Sequence, residues 1–144
     1  MRFTNTIHIS RTPEDVFAYL AAFENVPEWN YAIVETRKVS PGPVAVGTTY
    51  VQIRSVPSRS QEEFRVTEFE PDARIAIHGG LGPFEGTLTY NLEPTEEGTH
   101  LTNEADLQGS GIMRLAGSLA EGRVREAVAT NLQKLKSILE SGTS

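Results

Sequence analysis

A chain of 144 residues, 38% hydrophobic and 22% charged, is expected to form one soluble domain, residues 1–144, with a substantial core. A net charge of −6, with Arg54, Arg59, Arg65, Arg114, Arg123 and Arg125 scattered among acids, argues against nucleic acid as a partner. The absence of cysteine excludes disulfides, thiolate nucleophiles and iron–sulfur clusters, and no run approaches the ~18 apolar residues of a membrane span. The N-terminus carries no apolar run resembling a signal peptide, so the expected location is cytoplasmic.

Residues 2–10 alternate, with Phe3, Ile7 and Ile9 on one face and Thr4, Thr6 and His8 on the other, which predicts a strand. Thr12-Pro13-Glu14-Asp15 then reads as a helix start: Thr12 as N-cap, Pro13 at the first helical position, Asp15 placed to return a capping bond. Val16, Tyr19, Leu20 and Phe23 give that short helix its apolar face, and Asn25 opens a second short helical turn through Trp29. Six candidate strands follow, over 32–39, 48–54, 61–70, 74–78, 84–93 and 100–108. Their turns are placed at Pro41-Gly42-Pro43, Pro71-Asp72, Gly79-Gly80 and Glu96-Glu97-Gly98. Short strands with tight turns and no helical pattern between them predict an antiparallel meander.

The chain closes on a long amphipathic helix, residues 112–140, with Ile112, Ala116, Ala120, Val124, Val128, Leu132, Leu135 and Leu139 on one face. At 1.5 Å per residue this is a rod of about 43 Å. Only a curved sheet made from the preceding strands is broad enough to cover its stripe. The fold class is therefore α+β, with about seven antiparallel strands wrapped around one helix and two short helices after the first strand. Lys134 and Lys136 suit the negative end of the helix dipole, and Gly142 suits its stop.

Chemistry-bearing motifs are sparse. His8, His78 and His100 share no metal-ligand spacing, so no metal or other cofactor is expected. Of the three, His78 is the candidate proton shuttle, because it abuts the expected Gly79-Gly80 turn. Glu104 and Asp106 share a strand face, but it lies opposite Leu101, Ala105 and Leu107 and reads as solvated. Glu62-Glu63 likewise reads as solvent charge at a strand start. The glycine-rich run 79–86 lacks the Lys-Ser/Thr of a phosphate loop and leads into a strand, and no serine sits in G-x-S-x-G.

The order of elements is joined by six stretches: Ile9 through Leu20, Pro27-Glu28-Trp29-Asn30, Val46-Gly47-Thr48, Glu68 through Arg74, Gly98 through Thr102, and Leu132 through Glu140. In series they span the chain, and the whole resembles the START-like (SRPBCC) helix-grip superfamily, specifically its polyketide cyclase/dehydrase and lipid-transport branch. The resemblance implies a cavity between sheet and helix that holds a small, mostly apolar molecule. Its expected lining is Trp29, Val51, Ile53, Phe64, Val66, Ile75, Ile77, Phe84, Leu88, Tyr90, Asn103, Ile112, Ala116 and Ala120. Tyr90 and Asn103 are the inward polar groups. Small residues at Ala116, Gly117, Ala120 and Gly122 place the pocket under residues 112–120.

Three functions follow from the resemblance. The first is a carrier or sensor of a hydrophobic or aromatic ligand, lipid- or polyketide-like, acting as a monomer or homodimer. The second is a polyketide cyclase/dehydratase-type enzyme in which Tyr90, Asn103 or His78 acts. The third is a chaperone-activator-like interaction module that uses the outer sheet face.

Overall fold

The structure, a computed structural model, describes residues 1–109 and 112–142, with side chains of the last helix described from Ala120 onward. Strand β1 (Arg2–Ile9) leads to α1 (Pro13–Leu20), a 3₁₀ turn (Phe23–Asn25) and α2 (Val26–Trp29). Then come β2 (Ile33–Lys38), β3 (Thr49–Arg54), β4 (Ser60–Glu70), β5 (Arg74–Leu81), β6 (Phe84–Thr95), β7 (Gly98–Gly109) and α3 (Ile112–Ser141). All strands join one 7-stranded antiparallel sheet in the order β1-β7-β6-β5-β4-β3-β2. This is the expected α+β architecture, a meander with its first strand returned beside its last.

Local chemistry explains most element boundaries. Thr12 Oγ1 accepts the Asp15 N–H at 3.1 Å and Pro13 opens α1. Asp15 returns no capping bond, because its carboxylate is taken by Arg11 at 3.1 Å. The buried face of α1 is Val16, Phe17 and Leu20. Phe17, not Tyr19, completes it: the Tyr19 hydroxyl donates to the Glu28 carboxylate and draws that ring toward the surface. Gly79-Gly80 does not turn. β5 runs through it to Leu81, and the reversal is the two-residue Gly82-Pro83 loop, with Gly82 at φ +69°.

The core divides into two apolar clusters. The larger lies under α1, α2 and the end of α3, where Leu132, Leu135 and Leu139 are buried. The smaller is Phe3, Phe84, Ala105 and Leu107. The C-terminal end of α3 is tied to the β1–α1 corner by polar groups. Arg11 donates to the Leu139 and Gly142 carbonyls at 2.7 and 3.2 Å, the favourable place for a cation on the helix dipole. Lys136 bridges the His8 carbonyl at 2.5 Å and Glu140 at 2.9 Å, while the Ser10 N–H reaches Glu140 at 2.8 Å. The Lys136 ammonium, and then the Ser10 amide, hold the Glu140 carboxyl below its ordinary pKa.

Candidate functional site

Between the two clusters lies a cavity of about 420 Å³, bounded by the sheet, α2 and α3. Its sheet wall is Phe64 of β4, Ile77 of β5 and Leu88 and Tyr90 of β6. Phe84 and Leu107 close it toward the smaller cluster, and Phe23, Val26 and Trp29 close it toward the larger. Tyr31 and Val56, among the most exposed apolar residues of the chain, form part of its rim.

Two facing glycines stand among the strand residues that wall this space. Gly79 faces Gly86 across β5 and β6, in the inward register of Ile77 and Leu88. A Cβ at Gly79 would collide with the Glu63 carbonyl oxygen, and one at Gly86 with that of Asp106. Neighbouring backbones therefore approach more closely than any side chain permits. The inner surface carries no side chain at either position. Behind the cavity, Tyr50 stacks on Phe64 with centroids 5.2 Å apart, and Phe23 meets both rings edge-on.

The cavity's helix wall, among the described residues, comprises Arg123, Val124, Ala127, Val128 and Asn131. The expected placement under residues 112–120 falls, Ala120 apart, outside the described side chains. Ala120 is buried but does not line the cavity, while Ile112 and Ala116 lie outside the described side chains. Among the described side chains of α3, the Val and Ala stretch before the leucines is the part that borders the cavity.

Other expected lining residues separate cleanly. Trp29, Phe64, Ile77, Phe84, Leu88 and Tyr90 do line the cavity. Val66 and Ile75 are core, 1% and 0% exposed, and do not. Val51 and Ile53 project from the outer face, because the inward positions of β3 are Tyr50 and Gln52. Asn103 is fully buried beside Tyr90 on the neighbouring strand but is not on the cavity wall. His78 is a strand residue on the opposite face from Ile77, its Nδ1 2.8 Å from Thr87 Oγ1, so it does not stand at the mouth. His8 and His100 pair across β1 and β7 on the outer face, and Asp106 meets Arg2 there at 3.1 Å.

Sequence reading missed the polar cluster at one side of the cavity. Glu62 is not solvent charge: its side chain is 6% exposed and 2.9 Å from Arg54. It also accepts from Gln52 Nε2 at 2.6 Å and the Gly82 N–H at 2.8 Å. Gln52 and Arg54 line the cavity. The available clue was their i, i+2 spacing on one strand with Tyr50. Two further donors belong to wall residues, Trp29 and Tyr90. Trp29 is 5% exposed and its Nε1–H has no hydrogen-bond partner among the described residues. Burial raises the Tyr90 hydroxyl's pKa, so near neutral pH the group is an O–H able to donate a hydrogen bond.

Among the described residues, no group of three His, Asp or Glu side chains is placed to hold a metal ion, and no helix is long and apolar enough to cross a membrane. An uncharacterized protein of Mycobacterium tuberculosis is 25% identical over 125 residues, covering 85% of this chain and 87% of its own. A crystal structure of a Thermus thermophilus protein superposes with a TM-score of 0.83 at 15% identity, covering all of both chains. The Zhui aromatase/cyclase of a Streptomyces species superposes with a TM-score of 0.77 at 11% identity, covering 97% of this chain and 93% of that one. The family described as polyketide cyclase/dehydrase and lipid transport matches residues 1–140, essentially the whole architecture described above. The chain belongs to that family.

Proposed function

We propose that this protein binds a small hydrophobic or aromatic molecule in the cavity between its sheet and C-terminal helix, as a carrier or sensor. The observation that carries this reading is the cavity itself: about 420 Å³ of largely apolar-walled space, where a domain of this size ordinarily packs solid.

An enzyme of cyclase/dehydratase type would use the same space, but its candidate groups do not converge there. His78 is on the outer face and Asn103 is behind the wall, which leaves Tyr90 as the one candidate of the three that lines the space. An interaction module acting through the outer sheet face leaves the cavity without a use. Binding is therefore the preferred reading.

A neutral apolar fluorophore, N-phenyl naphthylamine, tests it. Wild-type protein should enhance and saturate its emission, and Leu88→Trp, which fills the cavity from β6, should weaken binding by at least about tenfold. No saturable enhancement in the folded wild type, or an unchanged affinity in a folded Leu88→Trp variant, would refute the proposal.

A further inference from the structure

Charge is distributed unevenly around this cavity. The chain holds nineteen Asp and Glu against thirteen Lys and Arg, yet the described cavity wall presents Arg54 and Arg123 and no carboxylate. Arg54 stands on β3, the sheet side, and Arg123 on α3, the helix side.

The two guanidiniums are in different states. Glu62 engages Arg54 through Nε and Nη2, which leaves Nη1 without a partner among the described residues, on a side chain only 14% exposed. The remaining capacity of Glu62 is used by Gln52 and the Gly82 amide. Glu62 thus balances Arg54 in charge but does not exhaust its donors. Arg123 is exposed at the cavity wall and has no ion-pair partner among the described residues, so its guanidinium is open to a ligand.

Donors without acceptors beside an apolar volume fit a ligand with acceptor oxygens and negative charge at one end. We infer that the ligand is an amphipathic organic anion. Its carboxylate or sulfonate head meets Arg54 and Arg123, and its apolar body lies against Phe64, Leu88 and Val128. The inference rests on the proposed binding of an apolar ligand in this cavity, and it adds the charge of that ligand.

Two probes with the same ring system separate the two ideas. N-phenyl naphthylamine is neutral, and anilinonaphthalene sulfonate is the same molecule with one sulfonate added. The sulfonate should bind about tenfold more tightly at low ionic strength, with the difference shrinking as salt is raised. Arg123→Gln, an exposed substitution, should remove most of that difference, read as the ratio of the two probes' affinities for the same variant. The double variant Arg54→Gln/Glu62→Gln, which strips the pair together so that no buried charge is orphaned, should reduce it as well. Thermal melts establish that each variant folds.

Equal affinity of wild type for both probes would overturn the anion inference and leave the apolar-ligand proposal standing. Binding of neither would refute both. A sulfonate preference that survived in both folded variants would show that these arginines do not read the charge, and would overturn the assignment.

Discussion

Asn103 is fully buried on β7, between Asn5 of β1 and Tyr90 of β6, and neither its amide nitrogen nor its oxygen has a partner among the described residues. Orphaned buried amides weaken a fold, so Asn103→Leu should raise the unfolding free energy by about 1 kcal/mol, measured by denaturant titration. A loss of stability would show that the amide is hydrogen-bonded in solution. Tyr50 shares this condition: burial, and then the nearby Glu24 charge, push its hydroxyl up to about 12. At this scale sequence alone was a mixed guide. Alternation placed Phe3, Ile7 and Ile9 correctly on the inner face of β1, because there every apolar residue points one way. In β3 it failed. Val51 and Ile53 are aliphatic and Gln52 and Arg54 are polar, so hydrophobicity assigned the faces backwards. β-branched residues satisfy strand sterics on either face, and the polar pair is tolerated inside because Glu62 receives it.

Among the elements, the facing glycines of β5 and β6 are where neighbouring backbones approach too closely for a side chain. Gly86→Ala would drive a methyl group into the Asp106 carbonyl oxygen, a backbone atom that cannot swing aside. The expected loss is about 3 kcal/mol by urea unfolding. Gly122→Ala on α3 is the natural control. A Cβ there meets nothing within 4 Å, and the substitution should stabilise by roughly 0.5–1 kcal/mol through helix propensity. Equal effects at the two positions would mean that the sheet relaxes around the added methyl. Glycines in a strand are hard to recognise in sequence, since a Gly-Gly pair after a short apolar run looks like a turn; the pairing of 79 with 86 shows that the strand continues through it. The closing helix was the easiest element to read, because Leu132, Leu135 and Leu139 keep helical spacing and all three are buried. What its periodicity did not contain was where the sheet falls away beneath it.

For the molecule as a whole, two apolar clusters meet across a space, and a bound apolar body would join them into one core. A ligand at a hundred times its Kd should therefore raise stability by about 2.7 kcal/mol, seen as a higher unfolding temperature of the wild type but not of Leu88→Trp. An unshifted melt in the presence of a bound probe would mean that the probe sits on the surface. Fold was legible at this scale because six weak stretches occur in order along the chain and each strand turns where glycine, proline or paired acids permit. The site was less so. A cavity is made by what side chains fail to fill, and that depends on curvature and bulges such as the register shift between Val66 and Glu68, which a linear pattern does not express.

The Gly82-Pro83 loop looks like a peripheral connection, two residues long and remote in sequence from β3. Its first amide nevertheless donates to the carboxylate that holds Arg54, so its length is set by the cavity as well as by the hairpin. Surface turns are ordinarily where a fold accepts inserted residues, fused tags or new chain ends. The Pro41-Gly42-Pro43 segment, where a Cβ at Gly42 would meet nothing, keeps that freedom. Gly82-Pro83 does not: an engineer who lengthened it would be editing the pocket.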